Sequence, residues 1–416
     1  MLKLEQMNDA QREAVMHGEG PLLVLAGPGS GKTFTITQRI LYLIKVMQVP
    51  PEEILVITFT KDAARSMQQR FLEQSENFYP VNFGTFHSIF YSILKKSNPA
   101  GFKVILQESH KKNLLLPILK NIQNELQSVK EALSDTKNKM VSGESMDKIN
   151  LSEVAANMVS AISYYKNTLE LEQATEMLSD IWRGHFEAVF KEYETIRRQK
   201  GALDFDDMVY ECRKLLSTNE KIRTEWQNRF SHILMDEFQD INPMQYKVIW
   251  LLTQKPYNLF AVGDDDQAIY SFRGSKPACM KQFVEEYNAK RLLLNINYRS
   301  TAQIVRASSL VIKENKERFL KNMISCKEQE KESAILQGVR LLSFQEREEQ
   351  YQYLIRILEE LDKKEEVCEE GYSKAEYHKD SHAILFRTNS YMQGVAVRLK
   401  RSGISFEIKG NSTSIY

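Results

Sequence analysis

Cysteine is scarce and scattered. Four are present in 416 residues, Cys212, Cys279, Cys326 and Cys368, and no two form a CxxC pair. That spacing argues against a disulfide framework and against a zinc cluster, and it suits reduced thiols in a cytoplasmic protein. Long apolar runs are missing too: none approaches the roughly 18 residues needed to span a bilayer. The opening MLKLEQMNDAQ is polar and mixed in charge, unlike a secretory signal. Nor does one sign of charge dominate. Lys and Arg number 56 against 55 Asp and Glu, a net of +1. Without a global basic field, any nucleic-acid binding must use a local groove. Internal repeats and a low-complexity tail are also absent. A soluble chain with no membrane partner is expected.

What is present is ample apolar material, 42% of the chain, over a length that suggests roughly two to four domains. Short apolar runs recur, each followed by a turn and a helical pattern. They are Leu22–Ala26 (LLVLA), Ile54–Phe59 (ILVITF), Ile233–Met235 (ILM), Leu259–Val262 (LFAV) and Leu292–Ile296 (LLLNI). Continuous rather than alternating apolarity predicts strands buried on both faces, as in a parallel α/β sheet. Later candidates at Val339–Phe344, Ala383–Phe386 and Ile404–Ile408 flank a helical stretch near Gln350–Leu361 and predict a second α/β unit. Between about Ile89 and Gln199 the strand pattern stops. That segment is rich in Lys, Glu, Gln, Leu and Asn, and it reads as a helical insertion into the first α/β domain.

Two local motifs carry chemistry. The loop Gly27-Pro28-Gly29-Ser30-Gly31-Lys32-Thr33 follows a buried strand ending at Ala26 and precedes helical periodicity at Ile36, Ile40, Leu43 and Ile44. It is the A-x-x-x-x-G-K-T variant of the phosphate-binding loop, since Ala26 stands where the strict pattern has Gly. Backbone amides and a helix N-terminus make an anion cradle for ATP. Lys32 supplies charge for the β- and γ-phosphates, and the Thr33 hydroxyl is suited to magnesium. The second motif is Asp236-Glu237-Phe238-Gln239-Asp240, at the end of the Ile233 strand. Asp236 is placed to hold Mg2+, and Glu237 to orient and deprotonate the attacking water. A strand-end Asp-Glu alone also suits an ordinary helix N-terminus; beside the loop it gains weight.

With these in hand, the chain resembles the UvrD/Rep/PcrA family of superfamily 1A DNA helicases. The blocks that carry the likeness are NDAQREAV from Asn8, the AGPGSGKT loop, ITFTKDAA from Ile57 and FGTFHS from Phe83. DEFQD from Asp236, VGDDDQAIYSFRG from Val262 and NYRS from Asn297 follow in the family's order. The resemblance implies a RecA-like P-loop domain with a helical insertion, followed by the first part of a second RecA-like domain. The expected division is 1–88 and 201–285 for the first motor domain, 89–200 for the insertion, and 286–416 for the incomplete second. It implies that Gln11 reads the adenine edge, that Arg39 lies near the base and that Tyr298 stacks on it. A solvated helix face is the plainer reading of Arg39. Gln267 resembles the family's γ-phosphate sensor and Arg299 an arginine finger, with a structural ion pair as the alternative for Arg299. Thr58, Phe59, Thr60, Thr85, Phe86, His87, Tyr270 and Phe272 fall in blocks that line the family's single-strand path. There aromatic faces stack on bases and hydroxyls donate to phosphates, though any of the aromatics could be core. Phe272 stands where family members often have Trp. Asp204, Asp206 and Asp207 resemble another family block and read as a helix N-terminal acid cluster.

Phe406–Asn411 resembles the segment before a large insertion in the family's second domain, and the later blocks are not in these residues. A fragment or a naturally short relative is expected, with weak ATPase and little unwinding on its own. The implied function is ATP-dependent translocation on single-stranded DNA or a single-strand/duplex junction, with 3′-to-5′ polarity. A nucleotide-gated DNA-binding module without unwinding, or the helicase arm of a helicase–nuclease, are the alternatives.

Overall fold

The structure is a computed structural model that describes residues 2–98, 104–134, 150–271, 274–327, 339–367 and 382–408. Its strands are β1 Leu22–Ala26, β2 Ile54–Thr58, β3 Asn82–Thr85, β4 Val104–Ile105, β5 Ala202–Leu203, β6 His232–Met235, β7 Leu259–Gly263, β8 Lys290–Leu294, β9 Ile296–Asn297 and β10 Ile324–Ser325. The helices that position the site are α1 Asp9–Val15, α2 Lys32–Lys45, α3 Lys61–Gln74 and α4 Phe86–Ser97. The insertion contributes α5 Glu108–Ser134, α6 Leu151–Thr168, α7 Leu171–Glu176, α8 Asp180–Arg183 and α9 Phe186–Gln199. After it come α10 Phe205–Thr218, α11 Glu220–Gln227, α12 Pro243–Leu252, α13 Ala278–Tyr287, α14 Ala302–Ile312, α15 Arg347–Val367 and α16 Asn389–Arg401.

Six strands form one sheet in the order β3-β2-β6-β7-β1-β8, with every adjacent pair parallel. The continuous apolar runs find their cause here, because successive residues serve opposite cores. Leu23, Leu25, Leu55, Ile57, Ile233 and Met235 pack on one face with α4, α10, α12 and α13. Leu22, Val24, Ala26, Ile54, Val56 and Leu234 pack on the other with α2 and Phe71 of α3. The C-terminal ends of β1, β6 and β7 open onto one edge, where ligands bind in open parallel sheets.

The segment between β3 and β6 is helical, as its composition predicts. Pairing of β4 with β5 brackets it. Its core is Leu115, Ile118, Met158, Ile162, Trp182, Phe186 and Tyr193 with their neighbours. Beneath it lies a buried ion network. The Lys166 ammonium, 1% exposed, stands 2.5 Å from Asp207 Oδ1 and 2.7 Å from Glu194 Oε1, and Arg197 Nη2 lies 2.7 Å from Glu194 Oε2. Asp204 caps α10 through a reciprocal box with Asp207. The acidic residues at 204 and 207 are thus a helix cap, neutralised by two buried cations.

By contact density the chain divides into residues 1–338 and 339–416. The second unit differs from expectation. Residues 339–344, 383–386 and 404–408 run without strand assignment. Leu341 is 99% exposed and Leu385 93%. An apolar run becomes a strand only where a neighbour completes its hydrogen-bond ladder, and the described residues of this unit supply none. What they do contain is α15 against α16, around Tyr351, Val395 and Leu399. Lys409, Gly410 and Asn411 lie outside the described residues. No helix among the described residues is long and apolar enough to cross a membrane.

Candidate nucleotide site and its surroundings

The loop after β1 turns through two glycines in the left-handed region, Gly29 at φ +68° and Gly31 at φ +86°, which other residues adopt only with strain. Gly31 caps the N-terminus of α2, leaving that helix's first amides facing the loop. Ser30 is buried, its hydroxyl donating to Gly27 O at 2.8 Å. Pro28 is exposed, and Thr33 half-buried in the first turn of α2.

The acid motif reaches the same place. β6 and β1 are separated only by β7, which ends in Gly263. A Cβ there would lie 2.9 Å from Gln239 Oε1 and 3.2 Å from the Phe238 amide, so the missing side chain lets the acidic turn close over the strand end. Glu237 itself holds φ +50°, an uncommon conformation for a side chain of its size and one concentrated at functional sites. Lys32 Nζ stands 3.5 Å from Glu237 Oε2, which also accepts from Gln239 Nε2 at 2.8 Å.

Two atoms in this pocket lack what burial demands. Lys32 Nζ and Asp236 Oδ1 are both buried without a hydrogen-bond partner. An unpaired buried polar atom costs about 1–3 kcal/mol, and more when charged, so such atoms persist where a ligand completes them. Burial, with the neighbouring Glu237 charge, pushes the Asp236 carboxyl up to about 6 against the opposing pull of Lys32. Asp240 is raised to about 6 for the same first two reasons, and its Oδ1 is also unpartnered. An ammonium that suits phosphate and a desolvated carboxylate that suits a hard cation therefore lie close together at the end of the sheet. The donor set fits magnesium and a polyphosphate.

Beside the loop the structure gathers residues from distant blocks. Gln11 is 4% exposed. Its Nε2 donates to Ser30 O at 3.0 Å, and its Oε1 accepts from the Asn8 amide. Asn8 Nδ2 donates to the Tyr298 hydroxyl at 2.8 Å, and the Tyr298 amide to Gly29 O at 2.9 Å. Asn8 is the residue that sequence reasoning left out. It belongs to a block already noted, but its partner lies 290 positions away. The Arg299 Cβ packs at Gly29, where an added methyl would approach it to 2.8 Å, and its guanidinium makes no ion pair among the described residues. Arg39 is neither solvated nor turned to the loop. It is 3% exposed and donates to the carbonyls of Val15, His17 and Gly18, with burial lowering it to about 10.

Gln267 donates its amide to Asp264 Oδ2 at 2.6 Å. Asp264, Asp265 and Asp266 converge closely enough to suggest a metal. A cation already sits among them: Lys321 Nζ is 2.5 Å from Asp264 Oδ1, 3.0 Å from Asp266 Oδ2 and in contact with Asp265.

The residues read as a DNA path separate into two groups. Phe59 stacks on Tyr270 at 4.8 Å and both are half-buried, while Thr60 is exposed and caps α3. His87 meets the half-exposed Phe205 edge-on at 5.4 Å, an aromatic the acidic reading of 204–207 passed over. Thr58 and Phe86, by contrast, are interior. The Thr58 hydroxyl donates to Thr60 O, and Phe86 is 2% exposed against Phe90. The Thr85 hydroxyl is occupied capping α4. Phe272 lies outside the described residues.

Residues 7–288 match the family described as the UvrD/REP helicase N-terminal domain, and residues 292–415 the UvrD-like helicase C-terminal domain. Among curated relatives, a putative ATP-dependent DNA helicase of Bacillus subtilis is 34% identical over 99% of this chain and 50% of its own length. A probable DNA helicase II homologue of Mycoplasma capricolum is 31% identical over 98% of the chain and 52% of its own. The ATP-dependent DNA helicase PcrA of Staphylococcus epidermidis is 31% identical over 98% and 51%. The chain spans about half the length of the curated relatives it matches.

Proposed function

Since the chain belongs to the UvrD/REP helicase family, we propose that its residues form the motor portion of a DNA helicase, hydrolysing ATP in the pocket between the loop after β1 and the end of β6. The observation that carries this reading is the pair of buried atoms without a hydrogen bond on one edge of the sheet, Asp236 Oδ1 and Lys32 Nζ, the latter held only by its 3.5 Å ion pair to Glu237. The loop amides of 27–33 hold the phosphates, and Lys32 leaves Glu237 to meet their negative charge. Thr33 and Asp236 would hold Mg2+, which when bound offsets phosphate charge and fixes phosphate geometry. Glu237, released from Lys32, takes a proton from water as the water oxygen attacks the γ-phosphorus. The bond to the bridging oxygen breaks, giving ADP and inorganic phosphate. Gln267 orients the water, and Arg299 offsets charge on the transferring group. Asn8, Gln11 and Tyr298 frame the adenine.

Single-stranded DNA, alone or at a duplex junction, crosses the two aromatic groups, Phe59 with Tyr270 and His87 with Phe205, and Thr60 donates to its backbone. Translocation is 3′ to 5′ and belongs to the two-domain motor, with 1–88, 201–285 and, beyond the expected boundary at 286, β8 in its first half and the later chain entering its second, in the cytoplasm. Steady-state ATP turnover titrated with an oligonucleotide tests the reading. DNA should raise turnover, and Glu237→Gln should lower it about 100-fold or more. Turnover indifferent to DNA that demonstrably binds would sink the coupled motor; a fully active Glu237→Gln chain would remove the assigned base.

A further inference from the structure

The γ-phosphate sensor is held by a device that the reaction as described does not use. Asp264 is fully buried; its carboxylate accepts from three groups and its amide donates to a fourth. Its Oδ1 takes the Lys321 ammonium at 2.5 Å and the Asp266 amide at 3.2 Å. Its Oδ2 takes the Gln267 carboxamide at 2.6 Å, and its own amide donates to Gln239 Oε1 at 2.9 Å. A carboxylate only accepts, so the side of Gln267 facing it must be the NH2 group. The Gln267 carbonyl oxygen is thereby left as the free end, with no donor among the described residues. Gln239 in turn donates to Glu237. Sensor and base are therefore both tied to Asp264, the sensor through its carboxylate and the base, by way of Gln239, through its backbone amide.

Lys321 is the cation that makes this carboxylate tolerable. Its side chain is 1% exposed. Beside it, Arg318 grips Asp266 with Nε at 2.7 Å and Nη2 at 2.6 Å, and the Phe319 amide donates to Asp265 at 2.6 Å. Lys321 also lies three residues before β10, which pairs in parallel with β9. Ser325 Oγ donates to Ser300 O at 2.8 Å, stapling β10 to the turn that carries Arg299. The segment that clasps the sensor is thus bound to the turn that carries the finger.

We propose that Lys321 is a positioning residue for the γ-phosphate end of the site. It pins Asp264 so that Gln267 presents its carbonyl oxygen, and it sets Gln267 and Arg299 in register through the β9–β10 pair. This rests on the ATPase reading above. Its contribution appears in the transition state and not in ground-state nucleotide binding, because the buried Lys321 ammonium is spent on Asp264, Asp265 and Asp266 and acts on the site only through Asp264 and Gln267.

The test measures binding of a fluorescent ADP to the whole chain, alone and with aluminium fluoride as mimic of the transferring phosphoryl group. Lys321→Met should weaken capture of the fluoride complex by about 10- to 100-fold, the cost of a small misplacement at a reacting centre, while ADP alone changes by less than about 3-fold. In a Gln267→Ala background the same substitution should add less than about 2-fold, because the two act as one unit. Asp264→Asn should reproduce the pattern, and it carries the test if Lys321→Met fails to fold. Equal weakening of both complexes, no weakening, or full additivity with Gln267→Ala overturns the proposal. A wild-type chain that binds ADP but gains nothing from fluoride overturns the proposal alone. One that binds no nucleotide sinks the ATPase reading and the proposal with it.

Discussion

Apolar runs of similar length meet opposite fates in the two units of this chain. In residues 1–338, β1, β2, β6 and β7 are buried on both faces and hydrogen-bonded along both edges. In residues 339–408, the runs at 339–344 and 383–386 leave Leu341 and Leu385 almost wholly exposed, with no ladder among the described residues. Composition does not separate the two cases. The difference is a neighbouring strand, and it teaches that an apolar run states a readiness to pair, which only the rest of a sheet fulfils.

The comparison can be broken at its charges first. Lys166 in the first unit is enclosed by Asp207, Glu194 and Asp204 at 2.5, 2.7 and 3.7 Å. Lys166→Met strands those carboxylates and should cost about 3–5 kcal/mol in denaturant unfolding. The Arg398–Glu348 pair in the second unit, 2.5 Å apart with its carboxylate open to solvent, should yield no measurable change on Glu348→Ala. Equal effects would erase the distinction between the units.

Apolar truncations come next. Leu23→Ala, fully buried in β1, should cost about 2–5 kcal/mol, whereas Leu341→Ala should stay within about 0.5 kcal/mol. A large loss at Leu341 in an unfolding titration would mean that this side chain is covered in solution.

The smallest effect concerns Asp236. Its carboxyl is raised from 3.8 to about 6, so the folded chain favours the protonated form. Ionisation therefore opposes folding in full above about pH 6, and the penalty fades as pH falls through that value. Asp236→Asn should raise the melting temperature of the nucleotide-free chain by about 2–4 °C at pH 8, with the gain shrinking below pH 6. A gain that is constant with pH would show that the carboxylate is not desolvated as the structure has it.

The same contrast explains what was legible in the sequence. The phosphate loop and the Asp236–Glu237 pair were readable because each is a contiguous stretch whose backbone geometry its own residues dictate. Two-sided burial of the strands followed from unbroken apolarity. Other features depend on which faces meet, and spacing is silent on that. Arg39 and Phe86 lie on helix faces whose direction only the packed structure reveals. Asn8 finds Tyr298 across 290 positions, and Lys321 finds Asp264 across 57. Nothing in the acidic run 264–266 announces a distant lysine, and by composition alone it resembles a metal site.

The central claim is that Lys32 and Asp236 are incomplete until a magnesium nucleotide joins them. Calorimetric titration of ATP into the whole chain, with magnesium and with chelator, tests it most directly, with Lys32→Ala alongside. Magnesium-dependent binding that Lys32→Ala weakens about 100-fold is predicted, the loss expected when a charge-assisted contact to phosphate is removed. Binding that is indifferent both to the metal and to Lys32 would contradict it.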